Sequence, residues 1–147
     1  MEFSNYDLKM FEQARIEAER SDFKPFKLGC VITYKGHIIG RGHNSVKSNP
    51  LQKKYNRKYR HFNCVRGEYI RDSIHAEIAA LSSVPYAVGK DINWAKVNLY
   101  VFRLCPGKKR GYGNARPCPA CMGAIRDFGI KNVFFSDEDG FSYLRLE

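Results

Sequence analysis

Long hydrophobic runs are missing from this sequence. No stretch approaches the roughly 18 consecutive apolar residues that a membrane-spanning helix needs, so no membrane-embedded role is expected. The opening residues, Met1-Glu2-Phe3-Ser4-Asn5, lack the basic-then-apolar pattern of a secretory leader, which points to a cytoplasmic protein. The five cysteines are an odd number. That argues against a complete disulfide framework and fits a reducing compartment. Acid is scarce: 15 Asp and Glu face 25 Lys and Arg, a net charge of +10. There is no internal repeat and no low-complexity stretch. The 147 residues, 44% hydrophobic, are therefore read as one domain, 1–147, long enough to bury a sizeable core.

The positive charge is unevenly placed. Residues 41–71 hold nine Lys/Arg and a single acid, Glu68, while residues 103–116 hold five Lys/Arg and no acid. Together these segments carry +13, so the remainder of the chain is slightly acidic. Both run into the motifs described below, which places the excess at the mouth of one site. Such a mouth suits a phosphate-bearing ligand, either a free nucleotide or a nucleic acid strand. A solvated basic loop has the same composition.

Residues 4–20 form an amphipathic helix pattern, with Leu8, Phe11, Ala14 and Ala18 at helical spacing. Leu28–Tyr34 and His37–Gly42 flank Lys35-Gly36 as a hairpin. The basic insertion, residues 45–72, has no clear period. Its interleaved Lys, Arg and Tyr fit contact with a single strand, an amphipathic helical lid or a subunit contact. Ile74–Ser83 reads as a helix, Val97–Phe102 as a strand, and Cys118–Phe128 as a helix ended by Gly129. Ile130–Ser136 and Phe141–Leu146 read as strands. Asp137-Glu138-Asp139-Gly140 between them is too short for a parallel crossover, so they should pair as an antiparallel hairpin.

Two stretches carry chemistry: His75-Ala76-Glu77 and, some forty residues on, Pro117-Cys118-Pro119-Ala120-Cys121. They bring one imidazole, two thiols and one carboxylate. That is a three-ligand zinc set plus a general acid/base, with the fourth metal position left for water. Cys118 and Cys121 are neighbours on a helix. Pro119 suits the first helical position, which makes Cys118 the cap, and a helix start favours the thiolates a metal needs. Ser73 reads as the cap of the preceding helix, with His75 and Glu77 in its first turn. Standing two apart, those residues share a cavity only if it opens at the helix end. A structural zinc knuckle and reduced core cysteines are the competing readings; a structural site would more often show a fourth protein ligand and no use for Glu77. Cys30 reads as a small core residue. His61 and Cys64 stand at metal-ligand spacing and raise a second zinc site.

The two motifs together resemble the zinc-binding signature of the cytidine and deoxycytidylate deaminase superfamily. The resemblance runs loosely from Phe26 to the C-terminus. It implies an α/β fold, a three-layer α/β/α arrangement around a mixed sheet. It implies Zn2+ held by His75, Cys118 and Cys121, with Glu77 as the catalytic proton shuttle. Ala76 main-chain groups, an aromatic at Phe26 and an amide at Asn44 are implied as substrate contacts; a core aromatic and a turn-forming Asn are the alternatives there. His61, Arg110, Tyr112 and Arg116 are further candidates for phosphate or base contact.

Three functions fit. The first is a hydrolytic deaminase turning cytosine into uracil in a small-molecule nucleotide of the CMP or dCMP type. The second is a deaminase of cytosine or adenine within single-stranded DNA or RNA, which steep salt dependence of binding would favour. The third is a zinc-stabilised nucleic-acid-binding module without turnover. Family members often assemble, so a second copy of the chain is an expected partner.

Overall fold

The computed structural model describes residues 2–59 and 73–147. His61 and Cys64, and with them the second zinc site, lie outside the described residues. Helix α1 (Asn5–Glu19) begins at Ser4, whose hydroxyl accepts from the Asp7 N–H while the Asp7 carboxylate accepts from the Ser4 N–H. This reciprocal cap satisfies two amide donors at the helix start. Strands β1 (Lys27–Tyr34) and β2 (His37–His43) follow, joined through Lys35 and Gly36, both at positive φ. Then come α2 (Pro50–Tyr59), α3 (Ala76–Ser83), the short α4 (Tyr86–Gly89) and a 3-10 turn at Trp94–Lys96. Strand β3 (Asn98–Leu104), the two-residue β4 (Tyr112–Gly113), α5 (Pro119–Phe128), β5 (Asn132–Asp137) and β6 (Gly140–Arg145) complete the order.

The sheet runs β2-β1-β3-β5-β6, with β4 paired to the end of β3. β3 and β5 are parallel, as the crossover through α5 requires. The other pairs are antiparallel, including β5 with β6. Alternation along the strands divides the core in two. Val31, Tyr100, Phe102 and Phe134 point to α1, where they meet Phe11 and Ala14. Cys30, Ile32, Leu99, Val101, Val133 and Phe135 point to the opposite face, where Ile78 and Leu81 of α3 and Ile125 of α5 cover them. The result is the mixed sheet between helical layers that the resemblance implies.

The single helix α1 suffices on its face because aromatics fill the space. Phe11 stacks on Phe141 with ring centroids 4.0 Å apart and meets Tyr100 edge-on at 5.5 Å. Burying one such ring contributes about 1.5–3 kcal/mol. Tyr100 ends in a hydrogen bond from its hydroxyl to Asp7 (2.6 Å), which ties the cap of α1 to the sheet.

Two local readings differ from the structure. Helix α2 occupies part of the insertion read as aperiodic. Its buried residues are Gln52, Tyr55 and Asn56, and Leu51, Tyr55 and Tyr59 pack on the core at helical spacing, which fits the amphipathic-helix alternative for this stretch. Ser73 does not cap α3. It forms a bridge with Ser48, and His75 itself takes the cap position. Among the described residues no helix is long and apolar enough to cross a membrane.

Candidate metal centre and its cavity

Two helix starts meet on the face of the sheet opposite α1. Cys118 caps α5, with Pro119 at its first position and Cys121 one turn in. Gly129, at φ 94°, ends that helix in the left-handed conformation that favours glycine. His75 caps α3 in extended geometry, which puts Glu77 at the second position of the helix. His75 Nδ1 lies 3.5 Å from Cys118 Sγ and 3.3 Å from Cys121 Sγ. All three donor atoms fall within 4.8 Å of one another. Zinc–nitrogen and zinc–sulfur bonds of ordinary length give a tetrahedral N···S edge of about 3.6 Å. The group therefore has the size and the chemistry of a zinc ligand set.

The thiols are poised for a cation. Cys118 and Cys121 share a proton: the hydrogen bond from Cys121 holds Cys118 well below the usual thiol range, and the same bond, with burial, raises Cys121. Lowering Cys118 favours its thiolate, the form that a metal takes up. Glu77 is buried, and burial pushes its carboxyl up to about 7, with the neighbouring His75 acting in the opposite direction. A carboxyl in that range can both accept and return a proton at neutral pH.

Helix α2 braces this centre. The His75 N–H donates to Gln52 Oε1 at 2.9 Å, and Gln52 Nε2 donates to Asn56 Oδ1 at 2.8 Å. Both amides are buried. Tyr55 donates its hydroxyl to Asp127 on α5 (2.8 Å), and the Tyr59 ring lies against Gly123, where an added Cβ would stand 2.2 Å from the ring. Gly123 is small so that α2 can reach across α5 to the histidine.

A cavity of about 230 Å³ opens above the donors, with His75, Ala76, Glu77 and Cys118 on its lining. Leu28 and Arg103, register partners on β1 and β3, also line it. The exposed Phe26, Asn114 and Arg116 mark its mouth. Asn44 reaches the cavity too, yet its amide is largely engaged by the protein. Its Oδ1 accepts from Ser21 Oγ (2.6 Å) and from the Leu28 N–H (2.9 Å), and its Nδ2 donates to the Phe26 carbonyl (2.9 Å). It pins the Phe26 segment to the start of β1.

Other residues read from the sequence are placed elsewhere. Tyr112 stacks on Phe141 at 5.4 Å on the α1 face of the sheet. Arg110 lies beside the β5–β6 turn, 4.0 Å from where a Cβ on Gly140 would stand. The basic excess is partly spent on ion pairs: Arg41 with the buried Glu17 (2.7 Å) and Lys108 with Glu138 (3.3 Å). Gln52, Asn56, Arg103 and Asn114 carry no motif and were not singled out from sequence.

The sequence matches the family model for the cytidine and deoxycytidylate deaminase zinc-binding region over residues 4–137. The chain belongs to this deaminase family. Its cofactor is zinc, for which the His75, Cys118 and Cys121 group is suited. The fold is similar to that of dCMP deaminase from the cyanophage S-TIM5. In its complex with dCMP and dUMP that structure aligns with a TM-score of 0.58 at 19% identity, over 93% of this chain and 85% of that one. In its apo form the score is 0.55 at 18% identity, over 92% and 86%. Cytidine deaminase from Burkholderia pseudomallei aligns with a TM-score of 0.58 at 16% identity, over 97% of this chain and 93% of that one. A search of curated protein sequences finds no match.

Proposed function

We propose that the chain is a single-domain, zinc-dependent hydrolytic deaminase that converts cytosine to uracil in a nucleotide, working in the cytoplasm. The observation that carries this is the placement of a buried carboxyl, Glu77, in one cavity with His75 and Cys118 of the three-donor group. A structural zinc site has no use for such a group.

His75, Cys118 and Cys121 are the metal ligands in this reading. Zinc, when bound, supplies an acidified water at neutral pH. Glu77 would carry one proton of the attacking water to the ring nitrogen as the water oxygen bonds to C4, and would then carry the remaining proton of the C4 hydroxyl to the exocyclic nitrogen, so that the C4–N bond breaks and ammonia leaves. Ala76 main-chain groups, at the start of α3, orient the base. Phe26 packs against it at the mouth. The cavity volume suits one pyrimidine ring and is below the roughly 300–1,000 Å³ of sites that enclose a drug-sized ligand. Sugar and phosphate then lie toward the exposed residues.

A second reading, cytosine within a single strand, draws support from an adjoining cavity of about 300 Å³. It shares Phe26 with the first and is lined also by Lys24 and Lys27. Ammonia release tests both. The zinc-loaded protein is offered cytidine, CMP, dCMP and a short single-stranded oligonucleotide, with and without a chelator. Chelator-sensitive release from any of them is expected. Release from none would leave the zinc-stabilised binding module standing.

A further inference from the structure

Arg103 lines the cavity wall, and the deamination chemistry does not use its guanidinium. Arg103, the penultimate residue of β3, shares a sheet face with Leu99 and Val101 and is half-buried. Its Nε is fully buried and has no hydrogen-bond partner among the described residues. Its main-chain N–H is fixed by Ser136 Oγ at 3.0 Å, and its guanidinium lies over the Phe26 ring, 5.1 Å from the centroid. Among the described residues no carboxylate forms an ion pair with it. Buried donors without partners are rare in folded proteins, so this nitrogen is an unmet donor on the cavity wall. Arg116 stands exposed on the same cavity, 5.9 Å from the Phe135 ring centroid, and Asn114 lies beside it in the chain. Two cations and an amide thus line the mouth, and the one lining carboxyl among the described residues, Glu77, sits at the buried end.

We propose that Arg103, assisted by Arg116, is an anion clasp for the phosphate carried on the sugar of the target nucleotide. The planar fork of an arginine matches two phosphate oxygens, and stacking on Phe26 holds that fork in place before the ligand arrives. The burial gradient sets the direction: the base enters toward Glu77 and the phosphate stays at the Arg103 end. The clasp rests on the deaminase reading for what occupies the inner cavity, and its chemistry serves a terminal phosphate or a phosphate within a strand.

The test compares UMP with uridine, products whose binding needs no turnover, by calorimetry on the zinc-loaded protein. UMP should bind more tightly. Arg103→Gln should cut the UMP-over-uridine preference about 10- to 100-fold, Arg103→Lys should recover part of it, and Arg116→Gln should weaken it less. Zinc content and melting temperature are read alongside; should Arg103→Gln fail to hold zinc, Arg103→Lys and Arg116→Gln carry the comparison. Equal binding of UMP and uridine by the parent overturns the clasp, as does a preference unchanged in every variant. Phosphate-dependent binding without ammonia release from any cytosine substrate would sink the deaminase reading and leave the clasp. Ammonia release from cytidine with no preference for CMP or an oligonucleotide would do the reverse. A preference for CMP over a one-cytosine oligonucleotide assigns the clasp to a terminal phosphate, and the opposite order assigns it to a strand.

Discussion

Replacing Asn44 by Ala separates two roles that the sequence leaves open, substrate contact and structural brace. The structure makes the brace large. Asn44 is 4% exposed, and its amide serves the Leu28 N–H, the Phe26 carbonyl and the Ser21 hydroxyl. Ser21 keeps a second acceptor, the Asn44 carbonyl at 2.8 Å. Two main-chain groups therefore lose their partner, and each unsatisfied buried group costs about 1–3 kcal/mol. A loss of about 3 kcal/mol is expected, which for a chain of this size lowers the melting temperature by roughly 6–12 °C. Urea and thermal unfolding of the zinc-loaded protein measure it. Asn44→Asp keeps the acceptor and sets a carboxylate against the Phe26 carbonyl, so it should be no better than Ala. If Asn44→Ala melts within about 2 °C of the parent and loses turnover, the brace argument is wrong and Asn44 acts on the substrate alone.

Other residues make further claims. Gln52→Leu leaves the His75 N–H without its acceptor; zinc affinity, by chelator competition, should fall about 10-fold, and an unchanged affinity would show that α2 does not hold the histidine. Gly123→Ala drives a Cβ into the Tyr59 ring and should cost about 1–3 kcal/mol, with Tyr59→Ala restoring part of the loss in the double variant. Burial, then the bond to Asp127, raises the Tyr55 hydroxyl to about 12. An acid raised in the folded state stabilises fully below its unfolded value of about 10 and loses that contribution as pH climbs through 12. The stability gap between parent and Tyr55→Phe should thus shrink between pH 9 and pH 12 in urea titrations, and a constant gap would refute the assignment.

What could be read from the chain was local. The hairpin at Lys35-Gly36, the helix bracketed by Pro119 and Gly129 and the closing β5–β6 pair each follow from a few adjacent residues. The donor set was legible for the same reason, because metal chemistry leaves a signature in residue type and spacing. The rest depends on contacts distant in sequence. Helix α2 was legible only as one of three options, because its buried side mixes amides and phenols that matter only once His75 and Asp127 are beside them. Tyr112 turned to the far face because a two-residue strand takes its register from β3, which no local period encodes. Arg41 and Lys108 looked like part of a basic mouth until Glu17 and Glu138 met them. Arg103 counted only as part of the basic segment 103–116, because one arginine near a strand end has no pattern of its own.

The central claim is a metal held by one nitrogen and two sulfurs with its fourth position open. X-ray absorption at the zinc edge of the loaded protein tests it most directly. Two sulfurs at about 2.3 Å and two lighter atoms at about 2.0–2.1 Å are predicted, one of the lighter pair exchanging when a small anion is added. A third or fourth sulfur, or a shell of four protein donors that no added anion alters, would contradict the account.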